Sequence, residues 1–343
     1  MPKSDSRTRS WVGRRSGLRG TLRRSLTAEP PVTRTGNPQG LDWKNAFFLA
    51  SGFQVDQPTC VIFNPAAKGG KAERLREQLA ALGEGVVVRE TAGPGDATEL
   101  AACAVGQGFR TVVAAGGDGT VNEVVNGLAG APVDLGVLPV GTVNVFALDL
   151  GIPIDMQKAW DVIRTGRVRH VDLAKANEHY WVQMAGVGFD AQIVEETDAE
   201  ARKNLGPLSY VLTAALVAGR VPPRLTITAG SETQIEGCFV LLGNGRYYGG
   251  PYEIFRGGRL DDGLLDVYVF QRMSHFDVLR YINGVIFGDH DRLPDVKVLR
   301  ARRVTVECAE RVPVEVDGEL QGYAPVTFTV EGARLRVLAP PVD

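Results

Sequence analysis

Apolar and polar positions change rhythm along this chain. From Thr59, short apolar runs alternate with stretches of helical period. "TCVIF" (59–63), "VVVRE" (86–90), "TVVAA" (111–115) and "LGVLP" (135–139) read as strands. Between them, "KAERLREQLAAL" sets Ala72, Leu75, Leu79 and Leu82 on one helix face. Asp96 followed by Glu99 has the form of a capping box. Val121, Val124, Val125 and Leu128 share one side of a further helix. Strand–helix alternation at this spacing predicts a parallel sheet covered by helices. After about Gly166 the rhythm shortens. "HYWVQMA", "RLTITA", "GCFVLLGN", "LLDVYVF", "RRVTVECA", "VPVEVDG", "VTFTV" and "RLRVLA" follow one another between turn residues. They predict an antiparallel sandwich or barrel, interrupted by helices near Leu208–Ala218 and Ser274–Phe287. The pattern divides the chain into a segment before the first strand (1–55), an α/β domain (56–166) and a β-rich domain (167–321).

Composition changes this picture in two places. The first 28 residues hold eight Lys or Arg and one acid, Asp5, so the net −2 of the chain divides into +7 on that segment and −9 on the rest. A basic, acid-poor segment of this kind fits a disordered extension, a start placed too early, or electrostatic attachment to an anionic membrane. Cys60, Cys103, Cys238 and Cys308 have neither metal-ligand nor disulfide spacing, and each sits in an apolar run, which predicts buried free thiols. No apolar stretch is long enough for a helical membrane span. His170, His179, His275 and His290 are dispersed, no Ser-His-Asp or Cys-His spacing occurs, and no patch interleaves bases with aromatics for nucleic acid.

The candidate chemistry starts at "VVAAGGDGTVNEVVNGL" (112–128), where a strand breaks on Gly116 and Gly117 and resumes as a helix after Asp118 and Gly119. Two familiar phosphate loops are absent. The "NPAAKGGKA" stretch has Pro65 and Ala72 where a Walker A loop needs glycine and a hydroxyl, and Asn122 stands where a dinucleotide fingerprint needs glycine. Free amides and the helix dipole at such a turn still favour phosphate, and glycine allows close approach. An aspartate there repels phosphate unless a cation lies between, so Asp118 implies Mg²⁺ with a nucleotide. The alternative is a tight turn with Asp118 as a helix cap. Asn64 in "FNPAAKGG", Thr91 in "ETAGPGDA", and Thr142 and Asn144 in "LPVGTVNVFA" also fall at strand carboxyl ends, where open parallel sheets bind ligands. In "PVEVDGELQG", Asp317 and Glu319 sit on a tight turn, and either a proton acceptor for an alcohol or a plain polar hairpin tip reads from it.

With these residues in order, the chain from about Thr59 to Pro340 resembles the diacylglycerol kinase catalytic family, which also contains sphingosine, ceramide and bacterial lipid kinases. "GGDGTVNEVVNGL" carries the resemblance most specifically, supported by "TAGPGDATELA", "GVGFDA", "LDDGLLDV" and "VDGE". The resemblance implies a Rossmann-like nucleotide-binding domain to which about 322–343 returns, a β-rich lipid domain, and ATP between them. It implies that Asn64, Thr91, Gly116, Gly117, Asp118, Gly119, Thr120, Asn122, Thr142 and Asn144 surround the nucleotide, with Asp118 in the magnesium–water network. It names Glu319 as general base, puts a structural Mg²⁺ on Asp262 with main-chain oxygens of Arg259 and Leu264, and sets Asp190 against the lipid head group. A simple Asp-Gly turn is the alternative at Asp262. One departure is Val145, where many bacterial members carry aspartate. The expected activity is phosphorylation of a membrane lipid in lipid metabolism, diacylglycerol first, then a sphingoid base, ceramide or monoacylglycerol. Peripheral attachment at the inner, cytoplasmic face of the membrane follows, with apolar residues of "LGPLSYVLTAALVAGRVPP" lining the lipid cleft, touching the bilayer, or forming an ordinary buried helix. The oligomeric state stays open, a homodimer included. Two other classes compete: an NAD kinase-like enzyme, and a nucleotide-binding regulator without turnover.

Overall fold

Apolar residues without a polar break make β1 (Thr59–Phe63) a strand buried on both faces. β2 (Val86–Glu90) and β3 (Thr111–Gly116) pair with it in parallel on either side, and β4 (Asp134–Pro139) adds beyond β3. This computed structural model describes residues 58–66, 72–83, 85–197, 213–214, 216–230 and 233–341. The basic segment, and most of the helix expected over 208–218, lie outside the described residues. α1 (Ala72–Ala80), α2 (Asp96–Gly106) and α3 (Asp118–Leu128) connect the parallel strands. Leu75 and Leu79 of α1 and all four apolar residues expected on α3 are buried in one core. Among the described residues, no helix is long and apolar enough to cross a membrane.

Two short helices, α4 (Val145–Asp149) and α5 (Met156–Thr165), lead to β5 (Arg167–Ala176), β6 (His179–Trp181) and β7 (Met184–Val187). After α6 (Phe189–Glu196) come β8 (Leu225–Ala229), β9 (Thr233–Gly237), β10 (Phe239–Gly243), the short pair β11 (Tyr247–Tyr248) and β12 (Tyr252–Glu253), and β13 (Leu265–Phe270). α7 (His275–Phe287) precedes β14 (Val296–Ala301), β15 (Arg303–Glu307), β16 (Pro313–Val316), β17 (Glu319–Tyr323) and β18 (Val326–Ala339).

The strands form two large sheets. A ten-stranded sheet runs β2-β1-β3-β4-β18-β15-β8-β9, with β5 on β18 and β6 on β5. A six-stranded antiparallel sheet runs β14-β13-β10-β7-β16-β17. Period-two alternation packs one against the other. Val240 and Leu242 of β10 and Val267 and Val269 of β13 join Val304, Val306 and Ile227 between the sheets. Their neighbours Phe239, Leu241, Tyr268 and Phe270 point the other way, against Phe189 of α6 and Val278 and Tyr281 of α7. The expected mixed architecture, a parallel α/β part and an antiparallel sandwich, is the one observed.

Three expectations need correction. "VTFTV" and "RLRVLA" are one strand, β18, with a register shift between Glu331 and Leu335 where Ala333 adopts φ 54° and its N–H donates to Asp172 at 2.7 Å. Asp96 does not cap α2: Gly95 holds the N-cap position, and the Asp96 carboxylate turns back to accept from the N–H groups of Ala92 (2.7 Å) and Gly93 (3.0 Å). Of the cysteines only Cys60 is buried; Cys238 and Cys308 are half-buried, and Cys103 lies on the outer side of α2, away from its buried Ala97, Ala101 and Ala104.

Candidate functional site

The carboxyl ends of β1, β3 and β4 open onto a polar cavity of about 820 Å³. Asn64, Thr91, Gly117, Gly119, Thr120, Thr142 and Glu319 all line it. α3 starts at its wall with no side-chain cap, so the dipole and free amides of its first turn face the space. Asn64 ties β1 to this turn: its Nδ2 donates to Thr120 Oγ1 at 3.2 Å, and its Oδ1 accepts from Ala66 N at 2.9 Å. Gly117 meets Gly141 backbone to backbone, and a Cβ on Gly141 would overlap Gly117. The loop after β4 reaches this approach only without a side chain at Gly141.

The remaining residues of the expected nucleotide set sit behind the surface. Gly116 is the buried last residue of β3, packed under Thr120. Asn144, at φ 58°, spends its side chain within its own loop, accepting from Gly141 N at 2.9 Å and donating to Gly141 O at 3.0 Å. Asn122 is buried and acts elsewhere: its Nδ2 donates to Asp317 Oδ2 at 2.8 Å and to Tyr180 O at 3.1 Å.

That contact organises the acidic turn. β16 and β17 are joined by Asp317 and Gly318, both with positive φ (48° and 85°), the hairpin geometry an Asp-Gly pair favours. The two acids of this turn face opposite ways. Asp317 is buried and accepts from three successive main-chain N–H groups, those of Val182 (3.0 Å), Gln183 (2.9 Å) and Met184 (3.1 Å), besides Asn122. Burial raises its pKa, and these donors oppose the rise. Glu319 alone reaches the cavity, directly over the glycine turn, where a Cβ on Gly119 would collide with its carboxylate. Burial, then the charges of Glu123 and Asp317, push Glu319 above the usual glutamate range. A carboxylate so placed can take a proton from a substrate near neutral pH.

Glu123 gave no signal in the sequence beyond a polar position on α3. Its carboxylate accepts from Gly95 N and Ala97 N, both at 3.0 Å, so it caps α2 from a neighbouring helix while lining the cavity.

A second cavity of about 530 Å³ lies on the other side of the acidic turn, with mostly apolar walls that include Val143, Val145, Phe146, Met184 and Ile193. Gly318 and Val194 line both cavities. Asp118 opens onto this second space. Its carboxylate accepts from Phe146 N at 3.2 Å, which fixes the start of α4. Burial raises its pKa, and among the described residues no Lys or Arg pairs with it. This carboxylate at the glycine turn is the group that could hold a Mg²⁺. Val145 is an apolar wall of this cavity and not a polar ligand.

At the blind side of the apolar space three groups interlock. Tyr248 donates its hydroxyl to Asp190 and shares it with Glu315 Oε1 at 2.9 Å, and Glu315 Oε2 accepts from Gly318 N at 2.9 Å. Burial raises both acids. The Asp190 charge raises Glu315 further. Asp190 Oδ1 is buried without a hydrogen bond.

At the expected second cation site the carboxylate has protein partners. Asp262 is salt-bridged to the Arg300 guanidinium, and its Oδ1 accepts from Leu264 N at 3.0 Å. The Arg259 side chain pairs with Asp261 at 3.1 Å. Arg300 also meets Asp266 at 3.0 Å, and Arg169 meets Asp261 at 3.6 Å.

Comparison with known proteins agrees with this layout. Residues 58–176 match the diacylglycerol kinase catalytic domain, and residues 183–339 match the YegS C-terminal NAD kinase beta sandwich-like domain. The chain is 33% identical over 253 residues to a diacylglycerol kinase of Bacillus subtilis (strain 168), covering 72% of this chain and 83% of that protein. It is 31% identical over 291 residues to a diacylglycerol kinase of Staphylococcus aureus (strain bovine RF122 / ET3-1), covering 82% and 91%. A crystal structure of a diacylglycerol kinase from Bacillus anthracis str. Sterne superposes with a TM-score of 0.69 at 26% identity, over 83% of this chain and 98% of that one.

Proposed function

The chain belongs to the diacylglycerol kinase catalytic family, a family of ATP-dependent lipid kinases, and from that premise we propose that it converts diacylglycerol to phosphatidic acid at the junction of its two cavities. The observation that carries this reading is the junction itself: a polar space with an uncapped helix start meets an apolar space at Gly318, with Glu319 on one side and Asp118 on the other. The polar space takes the triphosphate, and the apolar space takes the acyl-glycerol. Glu319 accepts the proton of the acceptor hydroxyl as its oxygen bonds to the γ-phosphorus and the bridging oxygen leaves with ADP. Asp118 would hold Mg²⁺, directly or through water, and the ion would neutralise charge on the phosphates. The α/β part (56–166 with about 322–343) serves the nucleotide and the β-rich part (167–321) the lipid. Attachment is peripheral, at the cytoplasmic face of the membrane.

A second acceptor class has one observation in its favour. A diacylglycerol has one free hydroxyl, whereas the buried, unpartnered Asp190 Oδ1 beside Glu315 and Tyr248 calls for a further donor. A monoacylglycerol or a sphingoid base would supply it.

The test is transfer of labelled γ-phosphate to diacylglycerol, monoacylglycerol, ceramide and a sphingoid base in mixed micelles, with NAD as control acceptor. Labelled phosphatidic acid supports the first reading, and a labelled sphingolipid or lysophosphatidic acid alone supports the second. Label on NAD alone, or on nothing while ATP binds, overturns both. Glu319→Gln is expected to lower turnover by about 10²-fold or more while ATP still binds. Because Glu319 must be ionised to act and its pKa is raised, wild-type rate falls on the acid side at a pH above the usual glutamate range. That limb is absent in the Gln variant.

A further inference from the structure

α7 (His275–Phe287) is apolar on more than the face it buries. Val278, Tyr281 and Gly284 pack inward. Phe276, Leu279, Ile282, Ile286 and Phe287 project outward, with exposures from 50% at Ile282 to 76% at Phe287. At 100° per residue these five span roughly 140° of the helix circumference. The other exposed residues of the helix are His275 and Asn283. The charged ones, Asp277 and Arg280, are half-buried and bound into a network with Asp295 at the side. So no Asp, Glu, Lys or Arg lies within the arc of the stripe, which takes in the polar His275 and Asn283. Exposed Leu216 and Val221 extend the patch past the helix start, where Gly219 lies against His275. A soluble helix normally turns a polar face outward, and an uncharged apolar stripe of this width marks a contact surface.

Its position says what the contact is. β12 packs on α7, and Tyr252 of β12, 55% exposed, is at the same time a wall of the apolar cavity. Val143, exposed at the rim of that cavity, lies close by: a Cβ added on Gly250, in the turn before β12, would be in van der Waals range of it. β12 thus links α7 to the mouth of the apolar cavity. The exposed Arg272 stands before the helix and the exposed Arg292 beyond its far end, where Arg256 is bound to Gly288 O and paired with Asp291 at 3.7 Å. Guanidinium groups at both ends of an apolar stripe complement an anionic headgroup layer.

We infer that the outward face of α7 is a membrane-docking surface, lying flat in the headgroup–acyl boundary of an anionic bilayer and setting the mouth of the apolar cavity against the acyl chains. A second copy of this chain on the same face would cover Tyr252 and close that mouth to the bilayer, which is why the observations favour lipid. The inference rests on the reading of the chain as a kinase whose acceptor is drawn from a bilayer.

The experiment is flotation of the full chain with vesicles of phosphatidylcholine and phosphatidylglycerol, for wild type and for Leu279→Gln/Ile286→Gln. Both positions are exposed, so an unchanged melting temperature is the check on folding. Wild type is expected to float and the variant to partition at least about tenfold more weakly. Its rate on vesicle-embedded diacylglycerol should fall in step, while its rate on a dispersed short-chain diacylglycerol stays at the wild-type value. A wild type that does not float, or a variant that floats equally, overturns the inference. Dissociation of a wild-type dimer to monomer in light scattering, with flotation unchanged, overturns it in favour of a second copy. The short-chain assay stands apart from the vesicles, so a failure of the kinase reading shows there and a failure of docking does not.

Discussion

At the residue scale, the contact that sets the site is Asn122 to Asp317, between side chains 195 positions apart. It joins the first turns of α3 to the hairpin that carries Glu319, so the nucleotide turn and the acid above it are held as one unit. Asn122→Ala would leave a buried carboxylate one donor short, at a cost of about 1–3 kcal/mol. The expected result is a lower denaturation midpoint together with a fall in kcat that exceeds the change in KM for ATP. Asn122→Asp sets an acid against Asp317, and its deficit should grow as pH rises and both ionise. A variant with wild-type kcat and midpoint would remove the tether. None of this was legible in the sequence, where Asn122 reads as one more polar residue of a nucleotide loop. Asp118 and Glu319 were legible, because each stands in a short glycine turn whose chemistry is local. The Asp190–Glu315–Tyr248 cluster was legible only at Asp190, since its three members come from α6, β16 and β11 and no spacing links them.

At the element scale, the start of α3 shows what the glycine turn does besides bind. Gly119 is the second residue of the helix, where an alanine is tolerated by the backbone and favours the helix by up to about 1 kcal/mol. Its missing Cβ is needed for another reason, since Glu319 occupies that space. Gly119→Ala is therefore expected to keep or raise the melting temperature while moving Glu319 and costing on the order of 10²-fold in turnover. Calorimetry beside a phosphotransfer assay checks both halves; a loss of stability equal to the loss of rate would point to a backbone cause instead. Elements with a strong internal pattern, β1, β3, β4, α3 and α7, were readable from the sequence because burial on a fixed period wrote them there. α2 was placed correctly with the wrong cap, since the capping carboxylate comes from Glu123 on another helix. β14 escaped notice because its exposed Lys297 and Arg300 interrupt the apolar alternation at a sheet edge. β18 read as two strands because the polar Glu331-Gly332-Ala333 bulge looks like a turn until β5 is seen pairing across it.

At the scale of the whole molecule, β18 decides how the two halves are joined. One edge pairs with β5 along nearly its whole length, and the other meets β15 antiparallel and then β4 in parallel, through Arg336 opposite Asp134. Arg336 Nε also donates to the Asp134 carboxylate at 2.7 Å. Leu335 and Val337 are buried in the core of the parallel part, while Val326 and Phe328 of the same strand are buried between the two sheets. No loop hinge separates the cores at this strand, and the Asn122–Asp317 tether closes a second link between them. The parallel part therefore cannot melt without exposing β18 and withdrawing a partner from β15. Scanning calorimetry is expected to show one transition whose calorimetric and van't Hoff enthalpies agree, where separable domains would give two. Leu335→Ala, at a cost of about 2–5 kcal/mol in a buried position, should move that single transition down intact. If the variant instead splits the transition, with the β-rich part still melting at the wild-type temperature, the halves are independent and the junction between the cavities is a hinge. A single shifted transition means that the two halves unfold as one unit, with the phosphate turn and the acyl cavity held in one cooperative body.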